Sequence, residues 1–249
     1  MCAIAVLVHL QGGGLPLSEI KAMTRLAAHR GPDGEGFCVH NHLALGHRSL
    51  SIVDRKEHSA QPFRRDDCFI VFNGEIFNYA ELRADLMRMG YRFQTQSDTE
   101  VLLTAWQAWG AECQQRLNGM WAFAIFDLRH NSLFLSRDRY GIKPLYYTEA
   151  AGKFCVASEI KQFQAVAGWQ ARLNPVRVFE FLNYGYFDHT AETMWKDVYQ
   201  LPPGHSMTLD LSTGRRTLKA YYNLSRSVPT LASATAGEYA EAFRTLWMD

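Results

Sequence analysis

The alternation of apolar and polar positions changes its period several times along the chain, and each change marks an element. Residues 3–10, AIAVLVHL, form an unbroken apolar run of strand length, as expected for a strand buried on both faces. Gly12, Gly13, Gly14 and Pro16 then break the chain. Over 18–28 the apolar residues Ile20, Met23, Leu26 and Ala27 recur at helical spacing. HRGPDGEG at 29–36 has the composition of a loop, and strands are expected near 36–40 and 43–48. CFIVF at 68–72 is a compact strand that ends at Asn73-Gly74. Leu82, Leu86 and Met89 place a helix over 80–89, stopped by Gly90 as its C′ glycine. Ser97-Asp98-Thr99-Glu100 fits a capping box and opens a helix running to about 109.

Between 119 and 158 four β-like runs follow in quick succession: MWAFAIFDL, SLFLSRD, LYYTE and FCVAS. Short helical pieces are expected at 159–165 and 175–183, and a final β pair spans 206–222. Many strands on short connections imply mainly antiparallel sheet. With two main helical segments in the first half, the pattern predicts an α+β fold, helices outside two packed sheets. Residues 225–236, SRSVPTLASATA, are small and polar and read as a linker. The segment 237–248 is amphipathic, with Tyr239, Phe243, Leu246 and Trp247 on one face. It has little of its own to pack on, so a following segment or a partner is expected to cover it.

Composition narrows the function. The 249 residues suffice for one large domain or two small ones, and 47% hydrophobic with 13% aromatic residues describes a folded chain. A formal net charge of +1 gives no electrostatic case for nucleic acid or an anionic membrane. No apolar run approaches bilayer length, and MCAIAVLVHL lacks a basic leader, so neither a membrane span nor a signal peptide is expected. Five cysteines (Cys2, Cys38, Cys68, Cys113 and Cys155) are an odd number without C-x-x-C spacing. That argues against a disulfide framework or structural zinc and for a reducing, cytoplasmic compartment. The nine histidines show no H-E-x-x-H arrangement, and no metal is expected.

Candidate chemistry begins at Cys2. Met1-Cys2 invites removal of the initiator methionine, which would place a thiol and a free α-amine on one residue. An α-amine titrating at about pH 8 can accept the thiol proton. Taken alone, Cys2 reads first as a small hydrophobe at a strand edge. Asn73 and the Gly74 N–H offer two donors for a developing oxyanion, although Asn-Gly also favours a plain hairpin. Asp98 lies in the first turn of a capped helix, where the dipole suffices to explain a carboxylate; a ligand for a substrate ammonium is the functional alternative.

The ordered set of motifs is more specific than any member. Met1-Cys2, RGPDGEG at 30–36, LGHRSLSIVD at 45–54, QPF at 61–63, FNGEIFNY at 72–79 and SDTEVLL at 97–103 come in that order. LNGMWAFAIFD at 117–127, RDRYGIKPLYY at 137–147, ASEIKQF at 157–163 and LPPGH at 201–205 follow. From Cys2 to about Tyr222 the chain resembles the N-terminal glutaminase domain of glutamine-hydrolysing asparagine synthetases. The resemblance implies a four-layer αββα sandwich of the N-terminal-nucleophile hydrolase type. It implies that Cys2 attacks the side-chain amide of L-glutamine, that Asn73 and Gly74 hold the oxyanion, and that Glu75 and Asp98 bind the α-amino group. It also puts Ser49, Leu50 and Ile52 in the substrate-binding set. No cofactor is implied for this chain; ATP and Mg belong to a synthetase domain, absent here, that would take the ammonia and begin beyond the 223–236 linker. A homodimer is implied as well.

Three departures qualify the resemblance. Ser49 stands where the family has an arginine that pairs with the glutamine α-carboxylate. Arg48 is a poor substitute, since neighbouring side chains on a strand face opposite ways unless a bulge intervenes. Val6 replaces a frequent glycine and is expected to crowd the nucleophile end, with Ala3 a milder change. No S-G-G-x-D pyrophosphate-binding signature occurs. The leading expectation is an active glutaminase domain; the alternative is a degenerate fold kept as a dimerisation or interaction scaffold.

Overall fold

The unbroken apolar runs become strands covered on both sides. The computed structural model describes residues 1–50, 60–227 and 234–248. The elements in order are β1 (Ala3–His9), α1 (Leu17–Arg25), β2 (Gly34–His40), β3 (Leu43–Ser49), β4 (Phe63–Arg65), β5 (Cys68–Ile76), α2 (Tyr79–Arg88) and α3 (Asp98–Trp109). There follow α4 (Cys113–Arg116), β6 (Gly119–Asp127), β7 (Ser132–Arg137), β8 (Tyr146–Ala150), β9 (Lys153–Ala157) and a 3₁₀ turn, Ile160–Ala165. Last come α5 (Pro175–Tyr184), β10 (Val198–Gln200), β11 (His205–Asp210), β12 (Arg216–Ala220), α6 (Leu224–Ser227) and α7 (Ala236–Met248). The strands form two six-stranded sheets, ordered β10-β8-β9-β1-β3-β2 and β12-β11-β7-β6-β5-β4. Each pairing is antiparallel.

Strand parity sorts the core into three layers. Ile4, Val6 and Val8 of β1 meet Val71 and Phe69 of β5 and Ala122 and Ala124 of β6 between the sheets. Ala5 and Leu7 point the other way, onto Ile20 and Met23 of α1 and Phe163. Ile70 and Phe72 of β5, with Trp121, Phe123 and Ile125 of β6, pack under Leu82 and Leu86 of α2 and Val101–Leu103 of α3. The result is the expected helix–sheet–sheet–helix order. Because each central strand has an apolar neighbour on both faces, its period-two alternation is hidden in the sequence.

Several local expectations shift. β5 does not stop at Asn73-Gly74 but continues to Ile76, in register with Met120 and Gly119 of β6, so no hairpin forms there. Gly90 takes the C′ role, with φ of 93°. Only half of the capping box at α3 forms: Ser97 Oγ accepts from Glu100 N at 3.3 Å. The Glu100 carboxylate accepts instead from Thr95 N and from Arg65. Of the expected linker, Leu224–Ser227 forms a helical turn and 228–233 lie outside the described residues. α5 and α7 bury none of their described residues. No helix among the described residues is long and apolar enough to cross a membrane.

The two sheets are also joined by a polar bond. Buried His47 of β3 donates from Nε2 to the Phe72 carbonyl of β5 at 3.1 Å. A carbonyl only accepts, so the neutral ring carries its proton on Nε2. Burial holds the ring pKa down at about 4, opposed by the Phe72 carbonyl and reinforced by Arg48. An unfolded ring titrates near 6.5, so the unfolded chain binds a proton that the folded chain refuses. This contribution to stability is full above about pH 6.5 and is lost as pH falls toward 4, by up to roughly 3 kcal/mol. His47→Gln keeps a donor without the titration. Denaturant unfolding between about pH 7 and 4 should show a flatter loss of stability in this variant; an unchanged slope would place the acid sensitivity elsewhere.

Candidate active site

Cys2 lies one residue before the β1 ladder, which begins with Ala3 opposite Arg48. Its parity is that of Ile4, Val6 and Val8, so its side chain belongs to the face between the sheets. The thiol is half-buried, and its sulfur accepts from the Leu50 amide at 3.4 Å. Arg30 Nε donates to the Cys2 carbonyl at 3.0 Å. The remaining cysteines are poor nucleophiles by comparison. Burial raises the Cys38 pKa, and lifts Cys68 to about 11 and Cys113 and Cys155 to about 12.

Asn73 shares the parity of Phe69 and Val71, so it too belongs to the inter-sheet face, one residue beyond the carbonyl that His47 holds. His47 is itself the cross-strand partner of Ile4, which ties Asn73 to the nucleophile end of β1. Asn73 is 1% exposed, and its Nδ2 has no hydrogen-bond partner among the described residues. Such an orphaned buried donor costs about 1–3 kcal/mol unless something arrives to accept from it.

Gly74 is required by space. A Cβ there would run into the Met120 carbonyl, with Phe72 Cε2 at 2.5 Å and Trp121 Cα at 2.8 Å. Its amide follows the alternation of β5. The N–H of Phe72 goes to Gln61 Oε1 at 2.6 Å and that of Ile76 to Asp98 Oδ2 at 3.1 Å, so the Gly74 N–H emerges along the same edge. β4 ends its pairing at Phe63 opposite Ile70 and does not cover this stretch.

The Ile76 bond delivers Asp98, at the start of α3, to the end of β5, next to exposed Glu75. Burial raises the Asp98 pKa to about 6, with the Glu75 charge adding to the rise and the Ile76 and Thr99 amides opposing it. The Asp98 and Glu75 carboxyl groups thus stand together at the end of β5, beyond Asn73 and Gly74, an arrangement suited to an ammonium.

Ser49 would sit opposite Cys2 by extension of the β1–β3 register, and it pairs with Gly34 on its other side. A Cβ at Gly34 would lie 2.6 Å from Ser49 Oγ, so that glycine makes room for the hydroxyl. β3 holds its register with both neighbours through 43–48, so no bulge turns Arg48 inward. Arg48 is spent on the opposite face, donating to the Gly31 carbonyl at 2.8 Å and to Glu35 Oε2 at 3.0 Å. Leu50 reaches the thiol through its backbone. Ile52 lies outside the described residues. Val6 does not crowd the nucleophile: it is four residues along β1, fully buried in the inter-sheet layer beside Leu45.

Arg30 and His47 stand inside the quoted motifs, yet neither spacing nor residue type reveals what they hold. Each acts on a backbone carbonyl brought near by a different part of the chain. Among the described residues no cluster of metal-ligating side chains occurs.

A model of the glutamine amidotransferase domain matches residues 1–222. The chain belongs to this family. It is 34% identical over 189 residues to a glutamine-hydrolysing asparagine synthetase of Bacillus subtilis, covering 75% of this chain and 31% of that protein. A second from the same organism is 37% identical over 205 residues, covering 82% and 32%. A putative one from Methanocaldococcus jannaschii is 33% identical over 244 residues, covering 89% and 46%. The chain thus spans between about a third and a half of these relatives. Among solved structures, the glutamine phosphoribosylpyrophosphate amidotransferase of B. subtilis superposes with a TM-score of 0.64 at 19% identity, covering 89% of this chain and 49% of that one. The amidotransferase domain therefore has the N-terminal-nucleophile hydrolase fold.

The packing at Gly74 yields a direct expectation. Gly74→Ala forces a methyl into backbone atoms that cannot retreat, so unfolding free energy should fall by about 1–3 kcal/mol in a denaturant titration. An unchanged midpoint would mean that β5 and β6 separate more easily than this geometry allows.

Proposed function

We propose that this amidotransferase domain hydrolyses L-glutamine to glutamate and ammonia, with the Cys2 thiol as nucleophile. The observation that carries the reading is the buried Asn73 amide, without a hydrogen-bond partner among the described residues, on the inter-sheet face to which strand parity also assigns Cys2. Met1 is 55% exposed, and its removal would free the Cys2 α-amine. That amine takes the thiol proton, and the sulfur attacks the side-chain amide carbon. The carbonyl oxygen becomes an oxyanion that accepts from Asn73 Nδ2 and the Gly74 N–H. The amine returns the proton to the departing nitrogen, ammonia leaves, and a thioester remains. Water attacks the thioester, releasing glutamate and restoring the thiol. Glu75 and Asp98 receive the substrate ammonium.

The relatives' names and length support a further step, in which ammonia passes to an ATP- and Mg-dependent synthetase segment of asparagine-synthetase type. On this reading residues 2–222 form the amidotransferase domain, 223–236 link it onward and 237–249 open the synthetase segment. The exposed apolar residues Leu246 and Trp247 of α7, and Leu182 and Tyr184 of α5, support contacts with that segment or with a second copy in a homodimer. Five free cysteines suit a reducing cytoplasm.

Ser49 sets the expected affinity. A charged Arg–carboxylate pair replaced by one neutral hydroxyl bond costs on the order of 2–5 kcal/mol. A non-catalytic scaffold has Ser49 as its support, since Val6 leaves the nucleophile clear. Glutamate release should be measured on protein shown by mass spectrometry to begin at Cys2. Saturable hydrolysis with a high KM is expected, with none in Cys2→Ala. In Ser49→Arg, KM should fall about tenfold or more with kcat within about threefold. No release from either the native sequence or Ser49→Arg would favour the scaffold.

A further inference from the structure

A nucleophile at a chain terminus has an intrinsic difficulty: nothing before it in the chain holds it in place. Here the ladder starts at Ala3, so Cys2 is outside the sheet, and once Met1 is removed its backbone is tethered on one side only. The carbonyl of Cys2 is nonetheless fixed, by Arg30 Nε at 3.0 Å. The Arg30 side chain is only 9% exposed, and its Nη1 is in turn held by Glu159 Oε1 at 3.1 Å. Gly31 pins the arginine's own backbone: a Cβ there would meet the Arg48 carbonyl carbon at 2.5 Å and Ser49 N at 2.6 Å, so the loop lies flat against β3.

We propose that Glu159 is a positioning residue for the nucleophile, orienting the Arg30 guanidinium that fixes the Cys2 carbonyl and so the direction of the thiol. The segment carrying Glu159 is built onto the same end of β1. Ser158 Oγ accepts from Ile4 N at 2.9 Å, and Ser158 N donates to the Ile4 carbonyl at 3.1 Å. Gln162 Nε2 reaches that carbonyl at 3.4 Å. Glu159 and Gln162 close a full capping box on the turn Ile160–Ala165, with Glu159 N donating to Gln162 Oε1 at 2.9 Å. One rigid turn therefore grips residue 4 directly and residue 2 through Arg30.

The carboxylate is fit to stay charged. Burial pushes the Glu159 pKa up, but hydrogen bonds from Arg30, Lys161 and His29 outweigh it and leave it below the usual carboxylate value. His29 Nε2 lies 3.0 Å from Oε1 and Lys161 Nζ 3.1 Å from Oε2, which fixes the carboxylate plane. A guanidinium so directed presents its Nε–H to the Cys2 carbonyl in one orientation. Misplacement of a reacting group by about 1 Å can cost on the order of a hundredfold in rate. Glu75 and Asp98, which receive the substrate ammonium on the proposed function, lie on β5 and α3, so substrate affinity is expected to depend little on this clamp.

The inference rests on Cys2 acting as the glutaminase nucleophile, and its test separates the two. Glu159→Gln in the full chain beginning at Cys2 retains an oxygen to cap the 160–165 turn but loses the charge. Glutamine turnover should show kcat reduced about tenfold or more with KM within about threefold. Amide hydrogen exchange in a peptide covering residues 2–6 should quicken, with exchange in β5 unchanged. Glu149→Gln, which breaks an exposed pair with Arg216, serves as the matched control and should leave both readouts alone. Native kcat with native exchange at residues 2–6 would overturn the proposal, as would a uniform rise in exchange across both sheets, which marks a purely structural role. If Glu159→Gln fails to fold, Arg30→Lys carries the test: it keeps the charge facing Glu159 but cannot also bridge to the Cys2 carbonyl, and native kcat there would overturn the proposal. If the unmutated protein releases no glutamate, the glutaminase reading fails, and exchange at residues 2–6 still decides whether Glu159 holds the chain end.

Discussion

The site depends on one constraint: β1 must lie in the middle of a sheet, buried on both faces, while the residue just before it stays outside the ladder. Burial of Ile4, Val6 and Val8 against the second sheet and of Ala5 and Leu7 against α1 leaves β1 no freedom to slide. A slip of one residue would exchange these two faces and turn Cys2 away from Asn73. The strand is thus a rigid mount for a terminal side chain. The bond from His47 to the Phe72 carbonyl then joins β5 to the β3 residue that pairs with Ile4, near the Cys2 end of β1.

The fold was largely legible because it is made of local signals. Apolar runs, turn glycines and helical spacing located the longer strands and helices within a few residues, while the short elements β4, α4, β10 and α6 went unread. Where a reading failed, tertiary contact had overridden local preference. Asn73-Gly74 favours a hairpin, yet β6 offers Met120 and Gly119 as partners for Glu75 and Ile76, and Asp98 takes the Ile76 amide, so the strand continues. Ser97-x-x-Glu100 makes only half a box because Arg65 and the Thr95 amide, from outside the helix, compete for the Glu100 carboxylate. The full box forms at Glu159 and Gln162, where no Ser or Thr announces it.

The site was legible as a set of residue types and illegible as a set of supports. The motifs pointed to Cys2, Asn73, Gly74, Glu75 and Asp98, and strand alternation foretold that Arg48 would face away from Ser49. The roles of Arg30, His47 and Glu159 depend on backbone carbonyls and on partners more than twenty residues distant, which spacing does not encode. Ser49 is the departure from the resemblance that bears on the candidate site. On the proposed function, the arrangement keeps the groups that would act on an amide and the two carboxylates that would receive an ammonium, and it would weaken the grip on a carboxylate.

Cys2, alone of the five cysteines, is the residue we propose to attack a glutamine amide carbon. That role is tested most directly by treating protein that begins at Cys2 with a diazo ketone analogue of glutamine and mapping the adduct by mass spectrometry. A single adduct on Cys2, slowed by added glutamine, is expected, with Cys38, Cys68, Cys113 and Cys155, whose pKa values burial raises, unmodified. Failure to label Cys2 at any concentration of the analogue, or labelling without preference among the cysteines and without protection by glutamine, would contradict that role.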